Sequence, residues 1–298
     1  MTDVAEAVPV ARQRRVGLIV VLGAIVCFSI SSTLIKKAGA PGPTLAFWRM
    51  VLASIIWTAV LRITQHRFVS RAELKMAVLP GIAFGLNITC FFTGVTHTSV
   101  ANAEFIGALT PLILVPAGAI IFSEHLHGQS LLFGLVSLAG LALVLFFGPP
   151  NGDASWLGNG IIFVAMLLWS IYLITSRRMR ITMTVESIMA SVMPVASLTI
   201  LPIVVFNGQI DDVTARSALF ILLLTVLTGT LAHGFIVHAQ RAVPVGTISI
   251  MQVGQPALAV LWTLLLLGRS VRPIQVLGMA MVIGGLVLVT VQTQRNRA

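Results

Sequence analysis

Residues 98–128 read TSVANAEFIGALTPLILVPAGAIIFSEHLHG. The run is apolar throughout, yet it carries Asn102, Glu104, Thr110, Pro111, Pro116 and a closing Glu124. An ionisable side chain in such a segment costs about 2.5–3.5 kcal/mol on membrane-insertion scales, so it marks either a function or a specific partner. A second version of the run lies between Val243 and Pro273, where Gly254-Gln255-Pro256 stands in the place of Leu109-Thr110-Pro111.

The rest of the chain says which solvent these runs meet. Of 298 residues, 57% are hydrophobic and 9% charged, with a mean hydropathy of +1.00. Globular domains carry about 25% charged residues. So few charges cannot cover a water-exposed surface, and lipid is the alternative. A spanning helix takes roughly 20 mostly apolar residues. The chain divides into about ten such segments, at residues 16–34, 43–61, 74–95, 99–122, 129–147, 156–176, 185–206, 217–240, 244–267 and 273–291. The turn sequence GPPNGDAS, residues 148–155, separates a first half (16–147) from a second (156–292). Polar tails, 1–15 and 293–298, flank them. The expected fold is all-α, with ten transmembrane helices.

Several function classes are excluded at this level. The formal charge of +10 comes without a basic stripe or an RNA-binding aromatic motif, so no nucleic-acid partner is expected. Cys27 and Cys90 lie within apolar segments and read as small buried hydrophobes. His125 and His127 in HLH lack the spacing and the carboxylate of a zinc helix, and no metal is expected. No GxxxxGK[ST], GxSxG or carboxylate dyad occurs, so the chain reads as no enzyme and no ATPase, without a cofactor. The head MTDVAEAVPVARQRR is polar and the first apolar run is long enough to span, so no cleavable leader is expected.

Lys and Arg orient the segments. With a cytoplasmic N-terminus, Arg12, Arg14 and Arg15, the Arg62–Lys75 loop, Arg177, Arg178 and Arg180, Arg241 and the C-terminal arginines fall inside. Lys36, Lys37, Arg216, Arg269 and Arg272 fall outside with Asp153, Asp211 and Asp212. Both termini are then cytoplasmic. The halves also repeat. Phe28-Ser29 with Lys36-Lys37 matches Trp169-Ser170 with Arg177-Arg178, and Gly134 and Gly140 match Gly278 and Gly284. Five segments per half is an odd number, so the second half enters the membrane inverted, which is a transporter architecture.

Arg49 in FWRM, the junction THTSVANA, Pro111 in LTP, Glu124 in FSEHLHG and the pair Gly134 and Gly140 follow one another in an order that resembles the drug/metabolite transporter superfamily. Its ten-helix members built from two EamA-type repeats are the nearest match, over almost the whole chain. The resemblance implies a central cavity between the halves, lined by segments one to four and six to nine, with five and ten peripheral. It implies export of small organic metabolites, amino acids foremost. The second half departs from the pattern, since the counterparts of Glu124 and Arg49 are about Arg269 and Ala190.

Within the segments, Arg49 and Glu104 each lie about 8–9 Å deep from the outer face at a rise of 1.5 Å per residue. They could form a buried ion pair joining segments two and four. Alternatively, Glu104 faces an outer vestibule, or serves as a protonatable or amine-binding carboxylate. Ser249, Gln252 and Gln255 recur every three residues and form one polar stripe. The stripe serves either interhelical hydrogen bonds, about 0.6 kcal/mol each, or a substrate carboxylate or amine. Pro111 and Pro256 each remove a backbone donor and free a carbonyl, giving matched kinks or hinges. His233 reads as a cavity residue and His238 as interfacial. Trp169 and Tyr172 share a face that suits a cavity wall. Asn87 and Asn102 are the remaining buried amides. Gly81, Gly85, Gly94, Gly107 and Gly118 permit close helix approach.

The sequence thus points to a secondary transporter of the plasma (inner) membrane. It would export small amphipathic metabolites, neutral or aromatic amino acids foremost, by alternating access. Its partners are a small-molecule substrate and the bilayer, with no obligate protein partner, and either protons or the substrate's own gradient supply the drive. A cationic-drug or other small-metabolite efflux pump is the alternative reading, ahead of a non-transporting scaffold.

Overall fold

The structure, a computed structural model, describes residues 3–124, 128–147, 155–267 and 273–295. Of the positions read above, His125, His127, Asp153, Arg269, Arg272, the turn residues 148–154 and the last residues 296–298 lie outside the described part. Every regular element among the described residues is helical.

Local signals place the helix ends. The helix α1 (Asp3–Ser29) runs into α2 (Ser31–Ala38). Gly39 ends α2 at φ +67°, a left-handed conformation open to glycine at little cost. The next helix, α3 (Gly42–Gln65), has proline in its first turn, where the missing N–H breaks no bond. A capping box opens α4 (Arg71–His97): Ser70 Oγ accepts from the Glu73 N–H, and the Glu73 carboxylate accepts from the Ser70 N–H. Thr98 is extended, and Ser99 caps α5 (Val100–Gly107) by accepting from the Asn102 N–H. A break at Ala108–Thr110 leads into α6 (Pro111–Phe122) and then α7 (Gly128–Phe146). Ser155 caps α8 (Trp156–Arg180) and Thr184 caps α9 (Val185–Phe206). Next come α10 (Ala215–Leu224), a π-helical segment (Thr225–Ala232) and α11 (His233–Ala239). Last are α12 (Val245–Gln252), α13 (Gly254–Leu267) and α14 (Pro273–Arg295).

Among the described residues, seven stretches are long and apolar enough to cross a membrane: Arg12–Ala38, Gly42–Gln65, Arg71–His97, Asn102–Phe122, Trp156–Arg180, Val185–Phe206 and Ala215–Ala239. Gly128–Leu143 and Val276–Gln292 are shorter apolar helices. Several helices overrun the apolar windows read from sequence. The first starts at Asp3 rather than 16 and the third at Arg71 rather than 74, because a helix continues until a cap ends it, not until hydropathy falls. Four segments expected to be continuous are interrupted: at Ile30, at Ala108–Thr110, at Val253, and by π-helix at Thr225–Ala232.

At the centre, α4 packs on α3, α8 and α9. Gly81 and Gly85 allow this: a Cβ on Gly85 would lie 2.7 Å from the Ala196 carbonyl oxygen, and one on Gly81 2.5 Å from the Val195 side chain. Away from the centre, α7 and α14 pack along each other. Large apolar side chains such as Ile63, Leu79, Ile120 and Leu198 point outward, as a lipid-facing surface requires.

The two ends differ in charge. At one end the 66–70 loop meets the α8–α9 turn. Arg67 pairs with Glu73 at 2.8 Å and donates to Ser187 Oγ at 2.6 Å, while Gln65 donates to Thr184 Oγ1 at 2.7 Å. The hydrogen bond to Glu73 raises the pKa of Arg67 above its ordinary value. At the opposite end, Thr44 Oγ1 donates to the Gln209 carbonyl, Trp48 Nε1 to the Ile210 carbonyl, and Ser155 Oγ to the His97 carbonyl.

Candidate functional site: a cavity lined by both halves

A partly open cavity lies in the bundle, with about 830 Å³ of protein-free space when the solvent at its mouth is included. Its walls come from α1 to α5 in the first half, and from α8, the π segment and α11 to α13 in the second. Neither α7 nor α14 contributes a wall. Nor does α9, contrary to the expectation for segment seven. It turns Ile188, Met189, Val192 and Ala196 into the core, between α3 and α4.

Glu104, on α5, lines the cavity at 4% exposure. Its carboxylate accepts a hydrogen bond from the Ser32 hydroxyl on α2, and the Gln255 side chain lies in hydrogen-bonding reach. The first, fourth and ninth segments therefore meet at this carboxylate. The ion pair with Arg49 does not form, since no Arg or Lys nitrogen lies within 4.0 Å of Glu104 among the described residues. The two groups reach the same cavity from different helices, Arg49 from α3 and Glu104 from α5.

Arg49, on α3, is 1% exposed and lines the same cavity. Its Nε and Nη1 atoms are buried with no hydrogen-bond partner. Its guanidinium sits 5.5 Å from the centroid of the Phe92 ring, and its Nε lies against Gly229 of the π segment. π-helical turns occur often at functional sites. This one also brings Thr228 to the cavity wall.

His233 begins α11 at 1% exposure, and neither ring nitrogen has a hydrogen-bond partner. Aromatic rings enclose it: Phe84 at 4.5 Å, Phe28 at 4.8 Å and Trp169 at 5.5 Å between centroids. Trp169 lines the cavity, but Tyr172 does not. Tyr172 stacks on Phe84 at 4.5 Å with its hydroxyl toward Met189 Sδ, so it packs behind the wall.

Asn87 lines the cavity and its Nδ2 donates to the Ala165 carbonyl at 2.7 Å. Asn102 is not part of the lining; its Nδ2 donates to Asn159 Oδ1 at 3.3 Å. Ser249, Gln252, Gln255 and Pro256 all line the cavity, although the break at Val253 divides their stripe. Ser249 Oγ donates back to the Gly246 carbonyl, whereas Gln252 Oε1 is buried without a partner.

Two expectations about backbone need correction. The Gly107 carbonyl, next to Pro111, is not left bare: Thr110 donates to it from Oγ1 at 2.6 Å and from its N–H at 3.2 Å. And Gly107 serves no helix contact, because a Cβ there would meet nothing within 4 Å; it borders the open cavity.

On the Arg-rich side, Glu124 follows α6 and accepts hydrogen bonds from the N–H groups of Val245 at 3.2 Å and Gly246 at 3.5 Å. It also pairs with Arg177 Nη2 at 3.7 Å. A carboxylate at a helix N-terminus is stabilised by the unpaired N–H groups and the helix dipole. Glu124 thus joins α6, α8 and α12 beneath the cavity.

Residues the sequence did not single out include Ser32, Thr228, Met166 and Phe92. The π segment has no sequence signature, and Ser32 gains its role only through a partner 72 positions away. Among the described residues no group of three or more His, Cys, Asp and Glu could hold a metal ion.

Comparison with known proteins identifies the family. The model of the EamA-like transporter family matches residues 15–146 and again residues 156–291. An uncharacterized transporter of Clostridium kluyveri is 23% identical over 276 residues, 87% of each chain. The pseudopaline exporter CntI of Pseudomonas aeruginosa is 21% identical over 131 residues, 43% of this chain and 46% of CntI. One solved crystal structure superposes with a TM-score of 0.77 at 18% identity, covering 94% of this chain and 98% of the other, and shares the fold. The chain belongs to the EamA-like transporter family, of which it carries two copies in tandem.

Proposed function

We propose that the protein is a secondary exporter of small amphipathic metabolites, neutral or aromatic amino acids foremost. It works by alternating access between two inverted five-helix halves that span the plasma (inner) membrane ten times, with both termini cytoplasmic. The observation that carries this reading is the cavity itself. Both family copies line it, aromatic rings wall it, and Arg49, His233 and Gln252 present buried polar atoms with no protein partner.

Helix packing supports the inversion. Helices at matching places in the two halves pack on each other, α3 on α9 and α7 on α14, and the contact of α6 with α12 is mirrored by that of α5 with α13. The contact of α4 with α8 is mirrored by that of α11 with α1. The breaks before Pro111 and before Pro256 also fall at matching places. Opening at the Arg-rich end requires Glu124 to release α12, and the paired breaks supply the points of bending.

The test is counterflow of labelled amino acids in liposomes holding the purified protein, with and without an imposed pH gradient. Saturable exchange by at least one amino acid supports the reading, and no exchange across the panel under any gradient contradicts it. Glu104, a cavity-lining carboxylate, favours a second reading as a pump for organic cations. Cation resistance that is conferred by the wild type and lost in Glu104→Gln, with no amino-acid exchange by either protein, would decide for that alternative.

A further inference from the structure

We infer that Arg49 is a carboxylate anchor, and that the cavity takes ligands bearing one carboxylate on an apolar, aromatic-sized body, whether or not they carry an amine. This rests on the proposed reading of the cavity as the substrate site and assigns its charge chemistry.

The argument starts from what Arg49 lacks. A guanidinium keeps its charge, carries five N–H donors and accepts nothing. Here it is 1% exposed with Nε and Nη1 unpartnered, and no carboxylate lies within 4.0 Å of it among the described residues. The Phe92 ring at 5.5 Å offers a π face but no countercharge. A buried charge without a counterion is costly, and an incoming anion removes that cost. The planar fork fits a carboxylate with two parallel bonds.

The surroundings narrow the ligand further. A Cβ on Gly229 would stand 3.3 Å from Arg49 Nε, and His233, four residues on, lines the same cavity as Arg49. One of the two unpartnered His233 nitrogens carries the imidazole proton and can donate it to a carboxylate oxygen. Phe28, Phe91, Phe92 and Trp169 line the space around these groups and suit an apolar body. The acceptors Glu104 and Gln252 Oε1 lie on other helices, where they can hold an amine without being required for the carboxylate.

The experiment measures binding by the full-length purified protein, through calorimetry and ligand-induced thermal stabilisation. Three probes share a phenyl ring: phenylalanine, 3-phenylpropanoate, which lacks the amine, and phenethylamine, which lacks the carboxylate. The expected result is binding of both carboxylates, with phenethylamine at least about 30-fold weaker than phenylalanine, the loss of charge-assisted hydrogen bonds. Arg49→Gln is expected to lose both carboxylates by a similar factor while the empty protein melts no lower than the wild type. Arg49→Lys is expected to retain part of the affinity. Equal binding of phenethylamine and phenylalanine, no binding of either carboxylate, or undiminished carboxylate binding by Arg49→Gln overturns the assignment. The comparison of probes on unaltered protein needs no variant to fold. Carboxylate binding without transport of any amino acid would overturn the export reading and leave the anchor standing; transport with phenethylamine preferred would do the reverse.

Discussion

The carboxylate of Glu124 accepts a hydrogen bond from the backbone N–H of Val245 at 3.2 Å, which ties the end of α6 to the start of α12. In the proposed repeat α6 matches α13 and α5 matches α12, so the contact joins the fourth segment to the ninth through non-equivalent parts of each. It is itself asymmetric, since the position matching Glu124 in the second half is Arg269.

Replacing Glu124 with Gln keeps an acceptor but removes the charge facing the helix N-terminus and Arg177. A carboxylate so placed contributes up to about 2 kcal/mol. Loss of about 1–2 kcal/mol from the closed arrangement corresponds to a factor of about 5–30 in population. Thr247 is buried in the first turns of α12. A cysteine there, in a background lacking Cys27 and Cys90, is expected to react with a thiol reagent about 5–30-fold faster when Glu124→Gln is added. An unchanged rate would mean that Glu124 does not hold this end shut.

Two glycines separate packing from cavity shape. Gly85→Ala drives a Cβ to 2.7 Å from the Ala196 carbonyl oxygen and is expected to destabilise the protein by about 1–3 kcal/mol, read as a lower melting temperature. Gly107→Ala meets nothing within 4 Å and is expected to leave melting unchanged, while reducing exchange of the bulkiest transported amino acid more than that of the smallest. Equal melting losses in the two variants would contradict the packing described for α4 and α9.

Glu104→Gln retains an oxygen that can accept from the Ser32 hydroxyl. The variant is expected to fold with a melting temperature close to that of the wild type. If Glu104 carries the coupling proton, exchange by the variant becomes independent of an imposed pH gradient. A gradient response identical to the wild type would remove Glu104 from coupling and leave it a structural junction of α2, α5 and α13.

The helical spans could be read from sequence where an apolar run and a cap coincide. Val185–Phe206 is the clearest case, because Thr184 caps the helix where the apolar run begins. A rise per residue gives a depth along the helix but no direction around its axis. Arg49 and Glu104 were therefore placed at one level, yet Arg49 turns toward Phe92 and Gly229 while Glu104 turns to Ser32. Trp169 and Tyr172 share a helix face, but the edge of the cavity falls between them, which no periodicity reveals. The π segment, Thr225–Ala232, leaves no mark in composition.

Alternating access through one cavity is tested most directly by a single reporter cysteine at Gly107, where the added side chain meets open space. Cys27→Ala and Cys90→Ala remove the other thiols. In vesicles of known orientation, a membrane-impermeant thiol reagent is added from one side or the other, with and without a transported amino acid. The expected result is reaction from both sides, with the substrate slowing both. Reaction from one side only, whatever the substrate or gradient, would contradict it.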